Sequence, residues 1–454
     1  MKLRTLRNPV AAAVAVACFA GAGQAQTLAD SMIGAYRTSG LLEQNRALLR
    51  AADEDVAQAV SGLRPVIDYI ASARYQDSEF GDDTSSDIGL VASLLVYDFG
   101  RTRLAIDLQK ETVLALREGL RSVEQQVLLR GVAAFLNVRR QIAFVQLREN
   151  NVRVIGEQLR AARDRFEVGE VTRTDVSIAE ARLASAQSSL AAEQGALVQA
   201  RAEYLAVVGS PATSLSAPPP PPSLPATQDE ARRVALTRHP DLLEAQREVT
   251  AAEIAIEVAR ASLRPSITAN ANLGYDDDGD DSTTLSLDLR GPIYQGGRLS
   301  SEIRESQARR DATRGNLYSV GQRIELDVSS TWADLAVARA RVQASEQEVR
   351  AADLALRGAE EELEVGSRTT LDVLDLEQDL LDAQTDQVSN QIDRILSVYT
   401  VLSSMGLLTV DYLQLGIPTY DPAAYYNAVR NAPTTYVSPQ GDRLDRVLRR
   451  LNRN

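Results

Sequence analysis

The chain has 454 residues, 44% hydrophobic but only 5% aromatic, and a formal charge of −13 at pH 7. Its apolar content is therefore carried by Ala, Leu, Val and Ile, which suits long packed helices better than a bulky globular core. The acidic balance excludes nucleic acid as a partner, because a phosphate backbone needs a basic surface.

Residues 1–25 read as a bacterial export signal. Lys2, Arg4 and Arg7 form a basic start, Val10 to Ala20 an apolar run, and Gly23-Gln24-Ala25 a small-x-small cleavage site. The run is too short to span a bilayer as a helix. The one cysteine, Cys18, lies inside it, and Ala15 stands where a lipid-anchor site would place a larger aliphatic residue. The rest of the chain therefore has no disulfide framework. No later stretch is apolar for long enough to make a membrane helix.

A first repeat is expected over 26–216. A helix leads to Pro65, and strands follow at about 66–76 and 88–99. Ile67, Tyr69, Ala71, Ala73 and Tyr75 form the alternating set of the first, and Ile88, Leu90, Ala92, Leu94 and Val96 form one apolar set in the second. Gly100 marks the join to a long helix over about 101–168. Its apolar positions recur at spacings of three and four, through Leu116, Leu120, Val123 and Val127, then Val152, Ile155, Leu159, Ala162 and Phe166. At 1.5 Å per residue such a helix reaches roughly 100 Å. Val168-Gly169 ends it, and a return helix runs over about 174–208. In that helix Val176, Leu183, Leu190, Leu197 and Tyr204 fall seven apart, the spacing of coiled-coil packing. Glycine tolerates the left-handed conformation needed at such a stop. Thr174-Asp175, and Thr370 in the second half, offer oxygens to cap the returning helices.

A proline-rich linker, "APPPPPSLPAT" over 217–227, leads to a second repeat over 228–408. There Pro265 precedes strands at about 266–275 and 283–294, and Gly297 precedes a long helix at about 298–365. Val365-Gly366 ends that helix, and the return helix covers about 370–405. The halves are collinear copies. "GLRPVI" returns as "SLRPSI" after 200 residues, whereas "YDFGR" returns as "YQGGR", Phe135 as Trp332 and Gly169 as Gly366 after 197. This is one internal duplication with a small deletion between the two motifs, and its period is far too long for a solenoid. A tail, 409–454, follows; its "DRLDRVLRRLNRN" carries Leu444, Val447 and Leu451 with amphipathic spacing.

Strands of about ten residues with one apolar and one polar face, in an exported chain, fit a transmembrane β-barrel. The turns "DSEFGDDTSSD" and "DDDGDD" are acidic and suit an extracellular face. The second could offer oxygens to calcium, but a solvated loop is the simpler reading. Four strands cannot close; two edges would face lipid with unpaired backbone groups. Several copies must share one barrel, as eight strands from two chains or twelve from three. His239, in "TRHPDLL", stands before a helix start with no nucleophile beside it and reads as a structural turn residue. Neither a metal-ligand cluster nor a phosphate-binding glycine loop is present, so an enzyme is not expected. A non-conducting periplasmic coiled-coil scaffold or adhesin is the remaining rival.

The ordered set of "LRP" before each strand pair, "YDFGR" and "YQGGR" after, and "VGEVTRTDV" and "VGSRTTLDVLD" at the tips resembles the TolC family of outer-membrane efflux and secretion channels. The resemblance covers nearly the whole mature chain. It implies a mixed α and β membrane protein: a homotrimer whose 12-stranded β-barrel, set in outer-membrane lipid, continues as a periplasmic α-helical barrel. It also implies a periplasmic adaptor (membrane fusion) protein meeting the tips at Val168, Gly169, Val365 and Gly366, and an inner-membrane ABC or proton-driven transporter behind it. No cofactor is implied. The tail "LGIPTYDPAAYYNAVRNA" resembles the type I secretion branch, so the cargo is proteins or small toxic molecules. Asp372 and Asp375 match the family's aperture carboxylates, three apart and on one helix face; Ile178 stands where the first half would repeat Asp375. Thr174, Asp175 and Arg368 match three partners of the family's closed-state latch, and Leu363 replaces the tyrosine that is the fourth.

Overall fold

The computed structural model describes residues 25–77, 83–276 and 279–434, with 442, 445, 446 and 449 beyond. The export signal expected over 1–25 lies outside these residues apart from Ala25. So do 78–82 of the first acidic turn, 277–278 of the second, and Leu444, Val447 and Leu451 of the tail.

The duplication is visible element by element. α1 (Leu28–Thr38) and α2 (Gly40–Ser61) are matched by α5 (Gln228–Arg238) and α6 (Pro240–Ala261), with identical lengths of 11 and 22 residues. The single entry helix expected in each half is thus two. Ser39 and His239, two hundred positions apart, make the break. Both are extended, and their side chains accept from the backbone N–H of Leu42 and Asp241 to cap the second helix. The turn role expected of His239 is therefore its actual one.

Next come β1 (Val66–Gln76) and β2 (Asp83–Tyr97), then α3 (Arg101–Glu167) and α4 (Arg173–Val208). The second half repeats this with β3 (Ser266–Asp276), β4 (Asp281–Arg290), α7 (Arg298–Glu364) and α8 (Thr370–Ser404). Two strand boundaries differ from the expected ones by more than two residues. β2 starts at Asp83 rather than near 88, because Asp83 to Asp87 continue the ladder opposite Gln76 to Ser72. β4 stops at Arg290 rather than 294, because Ser266, the first residue of β3, pairs with Arg290 and leaves nothing beyond it to pair.

The four strands form one antiparallel sheet in the order β1-β2-β3-β4. Register puts Ile67, Tyr69, Ala71, Leu90, Ala92, Ala271, Leu273, Leu285 and Leu287 on one face. Asp68, Ser72, Asp87, Asn270, Ser286 and Asp288 occupy the other. Neither face is packed: β1 is exposed along its whole length, and Tyr69 and Leu285 stand 81% and 78% exposed. A soluble sheet hides its apolar face on a core; this one leaves Tyr69, Leu90, Leu273, Leu285 and Leu287 of that face exposed.

The core lies below the sheet. Leu28, Leu128, Val132, Phe135, Leu136, Tyr204 and Leu402 pack in the first cluster, and Val320, Ile324, Val328, Leu335, Val401 and Met405 in the second. Phe135 is fully buried, whereas its counterpart Trp332 is only partly so. Phe135→Ala should therefore cost about 3–5 kcal/mol, a loss readable in thermal unfolding followed by helical circular dichroism, with Trp332→Ala costing less.

The return helices end at this level against the entry-helix breaks. Gly209 closes α4 at φ +79, where a Cβ would lie 2.4 Å from Thr38 Cγ2; Gly406 follows α8 at φ +74, where a Cβ would lie 2.6 Å from the His239 Cα. Only glycine satisfies both the angle and the contact. As α4 and α8 stop, α2 and α6 begin, while α3 and α7 run past both. α3 packs on α4 in the lower part and on α2 and α6 in the upper; α7 does the same with α8 and α6.

After α8 the chain runs back along the body. The Arg46 guanidinium lies 5.1 and 5.4 Å from the rings of Tyr36 and Tyr420, and α9 (Pro422–Val429) packs on α2. Beneath it Asp53 is fully buried, and desolvation pushes its carboxyl up to about 7, against the opposing charge of Arg117.

Candidate functional site

Two features place chemistry in this chain: the joins between sheet and long helices, and the free ends of the two helical hairpins. At the first join Asp98 gathers the start of α3. Its Oδ1 accepts from Gly100 N at 3.0 Å, and its Oδ2 from Thr102 N at 2.7 Å and Thr102 Oγ1 at 2.5 Å. Gly100 and Gly297 occupy the N-cap positions at φ +90 and +87. The arginines following each Leu are the anchors of the "LRP" motifs. Arg264 donates to Phe99 O at 2.9 Å, tying the second repeat to the first, and Arg64 donates to the carbonyls of Asn431 and Ala432 in the returning segment. Pro65 and Pro265 stand directly before β1 and β3; a Cβ on Gly291, just after β4, would meet Pro265 Cβ at 2.8 Å.

The tips are near-copies in atomic detail. After α3, Gly169 takes φ +83 and its N–H donates to Phe166 O at 3.0 Å, while Glu170 N donates to Arg165 O at 2.9 Å. After α7, Gly366 takes φ +76; Gly366 N donates to Leu363 O at 3.1 Å and Ser367 N to Glu362 O at 2.9 Å. The left-handed residue lets the chain bond back to the last carbonyls and reverse. Val168 and Val365, 72% and 80% exposed, are apolar knobs at the ends.

The caps that restart the helices are not those expected. Thr172 and Thr369 are the N-caps, not Thr174 and Thr370. Thr172 accepts from Asp175 N and returns its own N–H to Asp175 Oδ2 at 2.8 Å; Thr369 and Asp372 repeat this at 3.2 and 3.0 Å. These are capping boxes with Asp in the third position. Thr174 is already helical and exposed, and Thr370 is helical and buried. The signal was present as two T-x-x-D spacings, Thr172 to Asp175 and Thr369 to Asp372.

Asp372 thus has a structural partner. The side-chain and then the backbone hydrogen bond from Thr369 hold its carboxyl below the usual range, so it stays ionised. Asp375, one turn on, is exposed and paired: Arg182 Nη2 on α4 lies 2.5 Å from its Oδ1. Further along α8, Asp379, Asp382 and Asp386 are also exposed at spacings of three and four. One face of the helix therefore carries an acidic row of which the expected aperture pair, Asp372 and Asp375, is only the start. The matching row on α4 is Ile178, Arg182, Ser185 and Ser189. Arg368 donates through Nε to Glu362 Oε2 at 2.7 Å, within its own hairpin, and does not reach Thr174 or Asp175 in this chain. Between the tips lies a cavity of about 640 Å³ lined by Arg165, Thr172, Asp175, Leu363, Gly366 and Arg368, among others. Among the described residues no group of acidic, His or Cys side chains is arranged to hold a metal ion, and no helix is long and apolar enough to cross a membrane.

Comparison with known proteins agrees with this geometry. The chain is 35% identical over 451 residues to the outer membrane efflux protein BepC of Brucella suis biovar 1, covering 96% of this chain and 98% of that one. It is 24% identical over 430 residues to the outer membrane protein TolC of Escherichia coli K12, covering 88% and 86%. Its fold matches the crystal structure of the outer membrane protein VceC of Vibrio cholerae with a TM-score of 0.72, at 22% identity over 84% of this chain and 96% of that one. The sequence model of the outer membrane efflux proteins matches twice, at residues 38–210 and 231–407, once for each repeat. The chain therefore belongs to that family, the TolC-like channels of the bacterial outer membrane, which are transport proteins and not enzymes.

Proposed function

We propose that three copies of this chain pool their sheets into one 12-stranded barrel and their helices into a tunnel. Through it, cargo handed over by an inner-membrane transporter and its periplasmic adaptor leaves the cell. One observation carries the reading: a four-stranded sheet with two open edges and no packed face, continuous with hairpins that reach about 100 Å away from it. The tips, with Val168, Gly169, Val365 and Gly366 outermost, are where the adaptor docks. Asp372 and Asp375 form the aperture ring, two carboxylates from each copy around a narrow lumen that favours cations. Thr174, Asp175 and Arg368 bond across neighbouring hairpins of the trimer when the aperture is shut.

The cargo follows the transporter. BepC is named an efflux protein, which supports small toxic molecules. The segment Leu415 to Ala432, which resembles the secretion branch, is built into the body through Tyr420 and Arg64 and supports protein export by type I secretion. Deleting the gene and comparing drug sensitivity with the content of the culture medium separates the two. The channel itself is tested by reconstituting the detergent-purified protein in planar bilayers. Trimers with cation-preferring conductance are expected. A monomer, or a trimer that never conducts, would leave a periplasmic scaffold or adhesin as the better account.

A further inference from the structure

We infer that Arg182 sets how firmly the channel rests shut and how much charge its aperture presents, by holding Asp375 across the seam between the two hairpins. The inference rests on the gating role proposed for the tips.

Three observations lead to it. First, the seam has few other polar ties at this level. Within one copy Arg368 bonds Glu362 and Asp175 bonds Thr172, each in its own hairpin, so the latch proposed for them acts between copies and not at this seam, and Leu363 offers no hydroxyl. Second, the two return helices meet over only a short stretch, at the place where Leu374 of α8, 2% exposed, inserts among Ile155, Leu159, Ala179 and Ala186 of the first hairpin. The Arg182–Asp375 contact, at 2.5 Å, lies beside that peg. Parting the hairpins would break both together. Third, Arg182 is the one charged residue in a row of α4 whose other members are Ile178, Ser185 and Ser189, facing a partner helix whose row is all aspartate. Its counterpart in the second repeat, 197 positions on, is Asp379. The two halves thus differ in sign at one level of the tunnel. A guanidinium there compensates one of the two ring carboxylates contributed by each copy, so the resting aperture carries less negative charge than the sequence suggests.

The side chains are 43% and 54% exposed, and an isolated surface pair of this kind adds little to folding stability. Its leverage is collective, since three equivalent pairs must open for one aperture to widen.

The test uses the full-length trimer in planar bilayers, with Gd³⁺ added from the periplasmic side as the blocking cation. Arg182→Gln should raise resting conductance by about threefold or more, the change that three weak exposed pairs acting together would give. It should also tighten Gd³⁺ block, because Asp375 is released to the lumen. Asp375→Asn should raise conductance as well but loosen the block. These opposite signs separate the tie from the ring. Arg182→Asp combined with Asp375→Arg should re-form the tie and bring resting conductance back down from the Arg182→Gln level, while Gd³⁺ block stays weak because the ring carboxylate is gone. The recovered closure also guards against a simple folding defect. An Arg182→Gln channel that conducts and blocks like the wild type overturns the inference, as does a swapped pair that stays as open as Arg182→Gln. If Asp375→Asn leaves Gd³⁺ block unchanged, the aperture reading itself fails, whatever Arg182 does.

Discussion

Replacing Asp372 and Asp375 together with alanine is expected to raise single-channel conductance and to weaken block by multivalent cations by about tenfold or more. In a trimer the change removes six carboxylates from one constriction. Even at an effective dielectric of about 20, a single charge pair 4 Å apart is worth about 4 kcal/mol, and tenfold needs only about 1.4 kcal/mol. The two positions should not contribute equally. Asp372 Oδ2 is already engaged by Thr369 N and Oγ1 at 3.0 and 2.7 Å, so Asp372→Ala also loosens the start of α8. Asp375 has no such duty to its own backbone, and its replacement should account for most of the change in block. Titration of the current against cation concentration, variant by variant, measures this; block equal to wild type in the double variant would remove both residues from the aperture.

The second large effect concerns the sheet. Leu285→Arg is expected to prevent stable assembly in the membrane, while Ser286→Arg next to it is tolerated. Leu285 pairs with Ala271, which pairs with Ala92, so it lies mid-strand on the apolar face. An arginine at the middle of a lipid-facing strand costs about 2–4 kcal/mol, and a trimer bears that cost three times. Ser286 pairs with Asn270 on the polar face, where Asn270 also donates to Asp288 at 2.7 Å. A cation there alters ion preference rather than insertion. Heat-resistant trimer on gels and the amount of protein in outer-membrane fractions report the first variant; reversal potentials in a salt gradient report the second. Equal loss of both would mean that the sheet does not sit in lipid with this face outward.

Much of the architecture could be read from the residues because it is repetitive and periodic. Period-two alternation gave the strands, Val-Gly at two tips gave the reversals, and the offset of 200 changing to 197 located the deletion in the second strand pair. What escaped was decided by contacts between distant segments. The break at Ser39 and His239 follows from the butting of α4 and α8 against the entry helices through Gly209 and Gly406, which no local pattern announces. The cap positions were misplaced by two residues at Thr174 and one at Thr370, since several Thr residues near each tip could serve and only the fold selects among them. Arg182 carries no local signal, because its partner is 193 residues away, on another helix of another hairpin. The aspartate row on α8 is written in the sequence as a 3-4-3-4 spacing from Asp372 to Asp386, of which the family resemblance covers only the first two positions.

α3 and α7 have the same length, 67 residues each. They act as matched rulers measuring from the membrane to a common depth. Adding one residue to either would sink its tip by about 1.5 Å and swing it through about 100°, so the six hairpin ends of a trimer would no longer share a plane or a heading. A cap-like partner seated on that rim would then meet two unlike sets of three in place of six near-equivalent footholds. Any change in the reach of this protein must therefore be made in both halves at once, and by whole heptads if the packing seams are to stay aligned.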